Sequence, residues 1–240
     1  MVDIHTHLVF DVDDGADSIK TSEAILQDEA SQGVTHIVAT PHYRRGMFKY
    51  HTGDVEMNFK LVRDRASAMG LHLYLGCEFH VHQEILDYIR NGRVHTMGDS
   101  RYMLMEYRHN SEYDYIVSSA EEMILSGYHP VIAHAERYNC IQKNPDRLRE
   151  LRAMGAMIQI NAGSVLGAEG HGQKSLCKKI LKEELGDIIA SDVHDMKIRP
   201  CRMRQCYDYL EKKYGHDTAE RYLVERPMRI IQGITGERFG

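Results

Sequence analysis

The sequence predicts a single α/β domain over residues 1–240, in which seven parallel strands close into a barrel. Three observations carry that prediction. Short apolar runs alternate with helix-type stretches from one end of the chain to the other, no linker divides them, and histidines and carboxylates gather where successive runs end. With 42% hydrophobic and 27% charged residues, a chain of 240 can bury a sizeable core. No internal repeat or low-complexity tract interrupts the pattern.

The first run, MVDIHTH, alternates so that His5 and His7 share one face while Ile4, Thr6 and Leu8 take the other. Helical patterning follows from Ser18 to Gln32, and HIVATPH at 36–42 is the second strand. The polar, aromatic stretch Tyr43 to Asp54 fits a loop over an active site better than a tight turn. A helix from Val55 to Met69 leads into the third strand, LHLYLGCEF at 71–79, and RYMLMEY at 101–107 is the fourth. The fifth, PVIAHAERY at 130–138, lies between helices at Tyr113 to Leu125 and Pro145 to Met154. AMIQINAG at 156–163 and DIIASDVHD at 187–195 complete the set, with helices at Lys174 to Leu185 and Met203 to Tyr214. Two last helices, His216 to Glu225 and Met228 to Ile234, have no strand between them and are expected at the outside or base of the barrel. Met103, Met105 and Met123 read as core packing.

Composition narrows the function. A net charge of −5 argues against general affinity for nucleic acid, which shows a basic surplus on its binding face. No run approaches the roughly 18 apolar residues of a membrane span, and the chain enters a strand directly without a leader-type segment, so it reads as cytoplasmic. Five cysteines form no CxxC pair, which suits a reducing compartment. None is followed six residues later by Arg, as a thiolate phosphatase would need.

Barrel enzymes keep their sites at the C-terminal ends of strands. There the sequence places His5 and His7, His42, Glu78, Glu106, His134, and Asp192 with His194, while Asp13 and Asp14 sit in the loop after strand one. Only the sixth strand offers no obvious ligand. Mixed imidazole and carboxylate donors suit Mn, Fe or Zn better than Ca. Asp14, Glu78, Glu106 and Asp192 would crowd their negative charges into one pocket, which cations must offset. His80 and His82 share the strand parity of Glu78. They can line the pocket or compete as ligands, but the chain is expected to leave the strand at Phe79, which makes them supporting or exposed groups. Arg44, Arg45 and Lys49, with Tyr43, Phe48 and Tyr50, can form a basic aromatic lip for an acidic phosphopeptide, or simply a solvated loop.

The runs DIHTH, DVDDGA, ATPHYRRGMF, GCEF, DSRYMLMEY, AHAERY and ASDVHD, in this order and over essentially the whole chain, resemble the polymerase and histidinol phosphatase (PHP) superfamily. Within it, the chain is most similar to the manganese-dependent protein-tyrosine phosphatases encoded with bacterial capsule and exopolysaccharide genes. The resemblance implies a distorted (β/α)7 TIM-like barrel and three divalent ions, Mn first, with Fe or Zn as alternatives. It implies one ion on His5, His7, Glu78 and Asp192. Glu78 then bridges to a second ion on Glu106 and His134, and Asp14, His42 and His194 hold a third. Asp14 is preferred to Asp13 by alignment only. The phosphate-binding arginines fall on Arg137 and Arg199.

The implied reaction is hydrolysis of phosphotyrosine by a metal-activated water, with no protein nucleophile. The implied substrate is the phosphorylated tail of a membrane-associated bacterial tyrosine kinase that controls polysaccharide synthesis. A histidinol-phosphate phosphatase is the alternative within the superfamily. A metal-binding scaffold without turnover would lack a ligand or an arginine, and none is lacking. An amidohydrolase would usually place a lysine at a strand end, where Glu78, Glu106 and His134 stand instead. Oligomeric state and the general acid are not legible.

Overall fold

The computed structural model describes residues 1–48 and 50–236. In chain order the elements are β1 (Val2–Thr6), α1 (Ile19–Ser31), β2 (His36–Ala39), β3 (His42–Tyr43), α2 (Thr52–Ala68), β4 (His72–Leu75), β5 (Glu78–His80) and α3 (Ile85–Arg90). Then come β6 (Tyr102–Glu106), α4 (Tyr113–Leu125), β7 (His129–Ile132), α5 (Asn139–Lys143), α6 (Arg147–Met154), β8 (Met157–Asn161), α7 (Ala162–Leu166) and α8 (His171–Lys182). The chain ends through β9 (Ile188–Ala190), α9 (Met203–Tyr214), α10 (His216–Glu220) and α11 (Arg226–Thr235).

Every strand pairing is parallel, in the orders β1-β2-β4 and β3-β5-β6-β7-β8-β9. The expected second and third strands are each broken in two. Pro41 has no N–H to give a ladder, yet its carbonyl still accepts from Glu78 N at 3.1 Å, and Gly76 N donates to Ala39 O at 2.7 Å. The ladder therefore runs on across both breaks, and the seven-strand reading stands in a distorted form. The chain returns to β1 where Asp192 N donates to His5 O and His7 N to Val193 O, both at 2.9 Å.

Two apolar layers hold this together. Val2, Ile4, Val38, Leu104, Val131 and Ile188 fill the barrel interior, which Met97, Ile230 and Ile231 stop at the base. Met103, Met105 and Met123 lie in the outer layer between strands and helices, as core packing. The terminal helices thus belong to the base. They form one helical run, because a π turn at Arg221–Glu225 absorbs Pro227, whose ring would otherwise break the ladder.

Several boundaries differ from expectation, each for a local reason. The fifth strand stops at Ile132, because His134 turns left-handed (φ 31°) and Ala135–Arg137 form a 3₁₀ turn. The seventh stops at Ala190, ahead of left-handed Asp192 (φ 56°). β5 runs on to His80, past the expected exit at Phe79. The loop expected at 43–54 is shorter, since Tyr43 still pairs with Phe79 and α2 begins at Thr52. Helices α3, α5 and α7 are too short to show a periodic stripe in sequence.

Strict alternation in β1 also fails, because its register with β2 shifts between Asp3 and Thr6. Asp3 accepts from Ser191 N at 3.1 Å and, with Glu29 of α1 and Cys201, forms a buried group whose polar atoms lie within 4.8 Å of one another. Burial, reinforced by Asp3, raises the Glu29 carboxyl well above its ordinary value. A raised folded pKa gives stability that is complete below about pH 4.3, the unfolded value, and is lost as pH rises through the folded one. Glu29→Gln should therefore flatten the decline in melting temperature between pH 5 and pH 8; an unchanged decline would refute the assignment.

Candidate metal centre

Six strands bring their ends to one cluster. His5 and His7 leave β1, His42 opens β3, Glu78 opens β5, Glu106 closes β6, and His134, Asp192 and His194 follow β7 and β9. The left-handed backbone at His134 and Asp192 costs roughly 1–3 kcal/mol at each residue, and it falls at two candidate ligands. The DDGA loop folds back onto this cluster, with Ala16 N donating to His7 O at 2.9 Å. A Cβ at Gly15 would lie 2.2 Å from that oxygen, so only glycine fits there.

The ligand-type atoms form three overlapping groups: His7, Asp14, His42 and His194; His5, His7 and Asp192; His42, Glu78 and Glu106. Glu78 is the hub. Its Oε2 lies 3.3 Å from the Nε2 of both His5 and His7 and 2.8 Å from His42 Nδ1, while Oε1 is 2.8 Å from His134 Nε2. Asp14 Oδ1 stands 3.5 Å from the Nε2 of both His42 and His194. Asp13 instead accepts from the His7 ring and from His42 N, each at 2.8 Å, behind the cluster.

Charge is tightly managed here. Burial would raise the Glu78 carboxyl, but His5 and His42 hold it well below the carboxylate range. Asp192 is lowered in the same way, against burial, by His5, His7, Arg199 and Arg137. His194, pushed down to about 4 by burial and by His7, is a neutral imidazole, and burial together with Arg137 lowers His134. Burial opposes protonation of His5 and His7 as well, yet the facing carboxylates raise both. Metal ions bind by displacing protons held in this way.

The donor set fits divalent ions. Among the described residues, His42 Nδ1, Glu78 Oε2, Asp192 Oδ1 and His194 Nε2 are buried and make no well-formed hydrogen bond, although His42 Nδ1 and Glu78 Oε2 stand 2.8 Å apart. His5 and His7 point their Nε2 atoms at each other across 3.2 Å. Lone pairs converging in this way need cations between them.

Arg137 and Arg199 meet at the rim, where a cavity of about 220 Å³ includes both together with Asp192 and Glu169. Arg137 bonds Glu169 through Nε at 2.8 Å and Asp192 through NH1 at 3.1 Å, and Arg199 NH2 reaches Asp192 at 2.6 Å. The expected lip is only partly assembled. Phe48 stacks on the His42 ring at 5.4 Å, and Tyr43 meets Tyr50 at 5.1 Å. Arg45, however, is 68% exposed and pairs with Glu84 at 3.0 Å. Arg44 shapes the turn through its carbonyl and shows no contact with the cluster among the described residues. Lys49 lies outside the described residues.

Sequence reasoning missed the supporting shell. The sixth strand, which seemed empty, supplies Gln159, bonded to His5 Nδ1 at 3.2 Å and His134 N at 2.8 Å, and Asn161, bonded to Asp192 at 2.7 Å. Two amides of equal parity at a strand end were the available signal. Glu169, which anchors Arg137, lies in a loop and gave none. His80 does act as a supporting group, with its Nδ1 2.8 Å from Glu106 Oε2. Glu136 is pushed up to about 7 by burial and by Glu169, and its Oε1 accepts from Asn161 N at 3.1 Å.

Residues 1–232 match the family model described as capsular polysaccharide synthesis, CpsB/CapC. The chain is 38% identical over 238 residues to the tyrosine-protein phosphatase CpsB of Streptococcus pneumoniae, covering 96% of this chain and 98% of that one. It is 30% identical over 226 residues to the tyrosine-protein phosphatase YwqE of Bacillus subtilis, covering 90% and 86%. Among solved structures, one reported for YwqE of B. subtilis and CpsB of S. pneumoniae, described as metal-dependent tyrosine phosphatases, superposes with a TM-score of 0.89 at 27% identity, covering 100% of this chain and 96% of that one.

Proposed function

The chain belongs to the CpsB/CapC capsular polysaccharide synthesis family, and from that premise we propose that it is a metal-dependent protein-tyrosine phosphatase. The observation that carries the reading is the Glu78 hub, a buried carboxylate facing four imidazoles, beside a rim built by Arg137 and Arg199. The whole chain serves as one catalytic unit holding three divalent ions, Mn in preference to Fe or Zn. His5, His7, Glu78 and Asp192 hold the first. Glu78, Glu106 and His134 hold the second, and Asp14, His42 and His194 the third.

Bound divalent ions supply a hydrolytic water that is acidic enough at neutral pH, and positive charge for the phosphoryl oxygens. The protein does the rest. Asp13, Gln159 and His80 fix the imidazole and carboxylate orientations, so nothing must reorganise during reaction. Arg137 and Arg199 present guanidinium donors to the equatorial oxygens, where charge is spread in a loose transition state. Phe48 beside His42 gives the phenyl ring of phosphotyrosine an apolar neighbour. The departing phenolate, of pKa about 10, needs less protonation than an alkoxide. The substrate we assign is the phosphotyrosine tail of a membrane-associated tyrosine kinase that governs capsular or exopolysaccharide synthesis. No helix among the described residues is long and apolar enough to cross a membrane.

The test is phosphate release from a phosphotyrosine peptide and from histidinol phosphate, using protein stripped of metal and then refilled with Mn. Peptide hydrolysis should require Mn. It should also survive iodoacetamide, because all five cysteines are buried, and burial raises the thiols of Cys77, Cys177, Cys201 and Cys206. Preference for histidinol phosphate by orders of magnitude would overturn the tyrosine-phosphatase reading.

A further inference from the structure

A second cavity, of about 360 Å³, opens beside the metal centre between the ends of β5 and β6. Arg45, His80, His82, Arg108, Ser111 and Tyr115 contribute to its wall, and among the described residues no carboxylate does. In a chain with net charge −5, such a wall is a local reversal of sign. His80 belongs to both places, since its Nδ1 lies 2.8 Å from Glu106 while its ring lines the cavity.

We infer that this cavity is a second anion subsite, which holds a carboxylate or phosphate carried by the substrate peptide close to its phosphotyrosine. The inference rests on the phosphatase reading above and adds to it a preference for acidic neighbours. Arg108 is the central residue. It stands two positions beyond Glu106, and its side chain is exposed with no carboxylate partner among the described residues. A turn holds its backbone, Ser111 N donating to Arg108 O at 2.9 Å. The wall behind it is fixed by Tyr115, whose hydroxyl donates to Val81 O at 3.1 Å.

Arg45 approaches from the opposite loop, and Glu84 engages it at 3.0 Å. That pair is exposed on both sides, so an incoming anion displaces Glu84 at little cost. Guanidinium groups from two elements, with the Ser111 hydroxyl beside them, offer the forked donors that carboxylates and phosphates accept. The arginines of the rim, Arg137 and Arg199, follow β7 and β9 and line a different cavity. One peptide can thus engage its reacting phosphate at the centre and a flanking anion at Arg108.

The experiment measures binding and turnover separately on the Mn-loaded protein. Three peptides differ only beside a non-hydrolysable phosphotyrosine mimic, carrying neutral residues, glutamates or a phosphoserine. Wild type should bind the acidic or phosphorylated peptides about tenfold more tightly than the neutral one, and Arg108→Gln should remove that advantage. The neutral peptide should bind both proteins equally. A preference seen with phosphoserine alone assigns phosphate, and one seen with glutamate as well assigns any anion. Equal binding of all three by wild type, or a preference that survives Arg108→Gln, overturns the subsite. Turnover of the hydrolysable neutral-flank peptide reports on the phosphatase reading by itself, so the two failures are distinguishable. It should be the same in wild type and Arg108→Gln.

Discussion

Glu78→Gln is expected to strip the protein of tightly held metal and to lower phosphotyrosine hydrolysis by more than about a hundredfold, beyond the range usual for supporting groups around a metal. The substitution changes almost no volume, so packing is conserved and the effect isolates charge. Glu78 is fully buried, and its two oxygens face His5, His7, His42 and His134. An amide in its place carries no negative charge and turns an N–H₂ toward nitrogen lone pairs. The site then loses both the counter-charge for the ions and the atom that joins two groups of ligands. Metal content after dialysis against a weak chelator measures this without an assay. Full metal occupancy in Glu78→Gln would show that the hub is not a ligand.

The architecture was legible because each β/α unit announces itself by a change of period, and because side chains at strand ends can be counted without knowing how strands bend. What could not be read was local. The β1 register shift places Asp3 against Ser191 and Glu29 while His5, two residues on, faces Glu78. A period of two does not allow that. The left-handed turns at His134 and Asp192 end two strands early; His and Asp take a positive φ more readily than most residues, but neither type marks where a strand stops. The supporting shell was hidden for another reason. Gln159, Asn161 and Glu169 act through hydrogen bonds to residues far away in sequence, which only the closed barrel brings near. Ligand types were visible in the chain, and the partners that orient them were not.

Arg137→Ala is expected to reduce kcat about 10²- to 10³-fold, the loss typical when one preorganised donor to developing charge is removed, and Arg199→Ala by at least about tenfold less. The two guanidiniums differ in how firmly they are held. Arg137 is 18% exposed, gripped by Glu169 through two nitrogens at 2.7–2.8 Å and by Asp192 at 3.1 Å. Burial works against its charge, yet Asp192 and Glu169 raise its pKa, so it stays a cation at every pH of interest. Arg199 is 34% exposed and, among the described residues, its guanidinium pairs with Asp192 alone, at 2.6 Å, from a loop. Rigidity is what converts a charge into transition-state stabilisation, since a mobile cation must be ordered during the reaction. Arg137→Lys should not rescue, because an ammonium cannot hold Glu169 and Asp192 and still offer a fork to phosphate. Glu169→Gln tests the positioning role: it keeps Arg137 but weakens the grip, so kcat should fall while KM changes little. Equal losses in Arg137→Ala and Arg199→Ala would show that proximity of charge alone, without anchoring, accounts for their contribution.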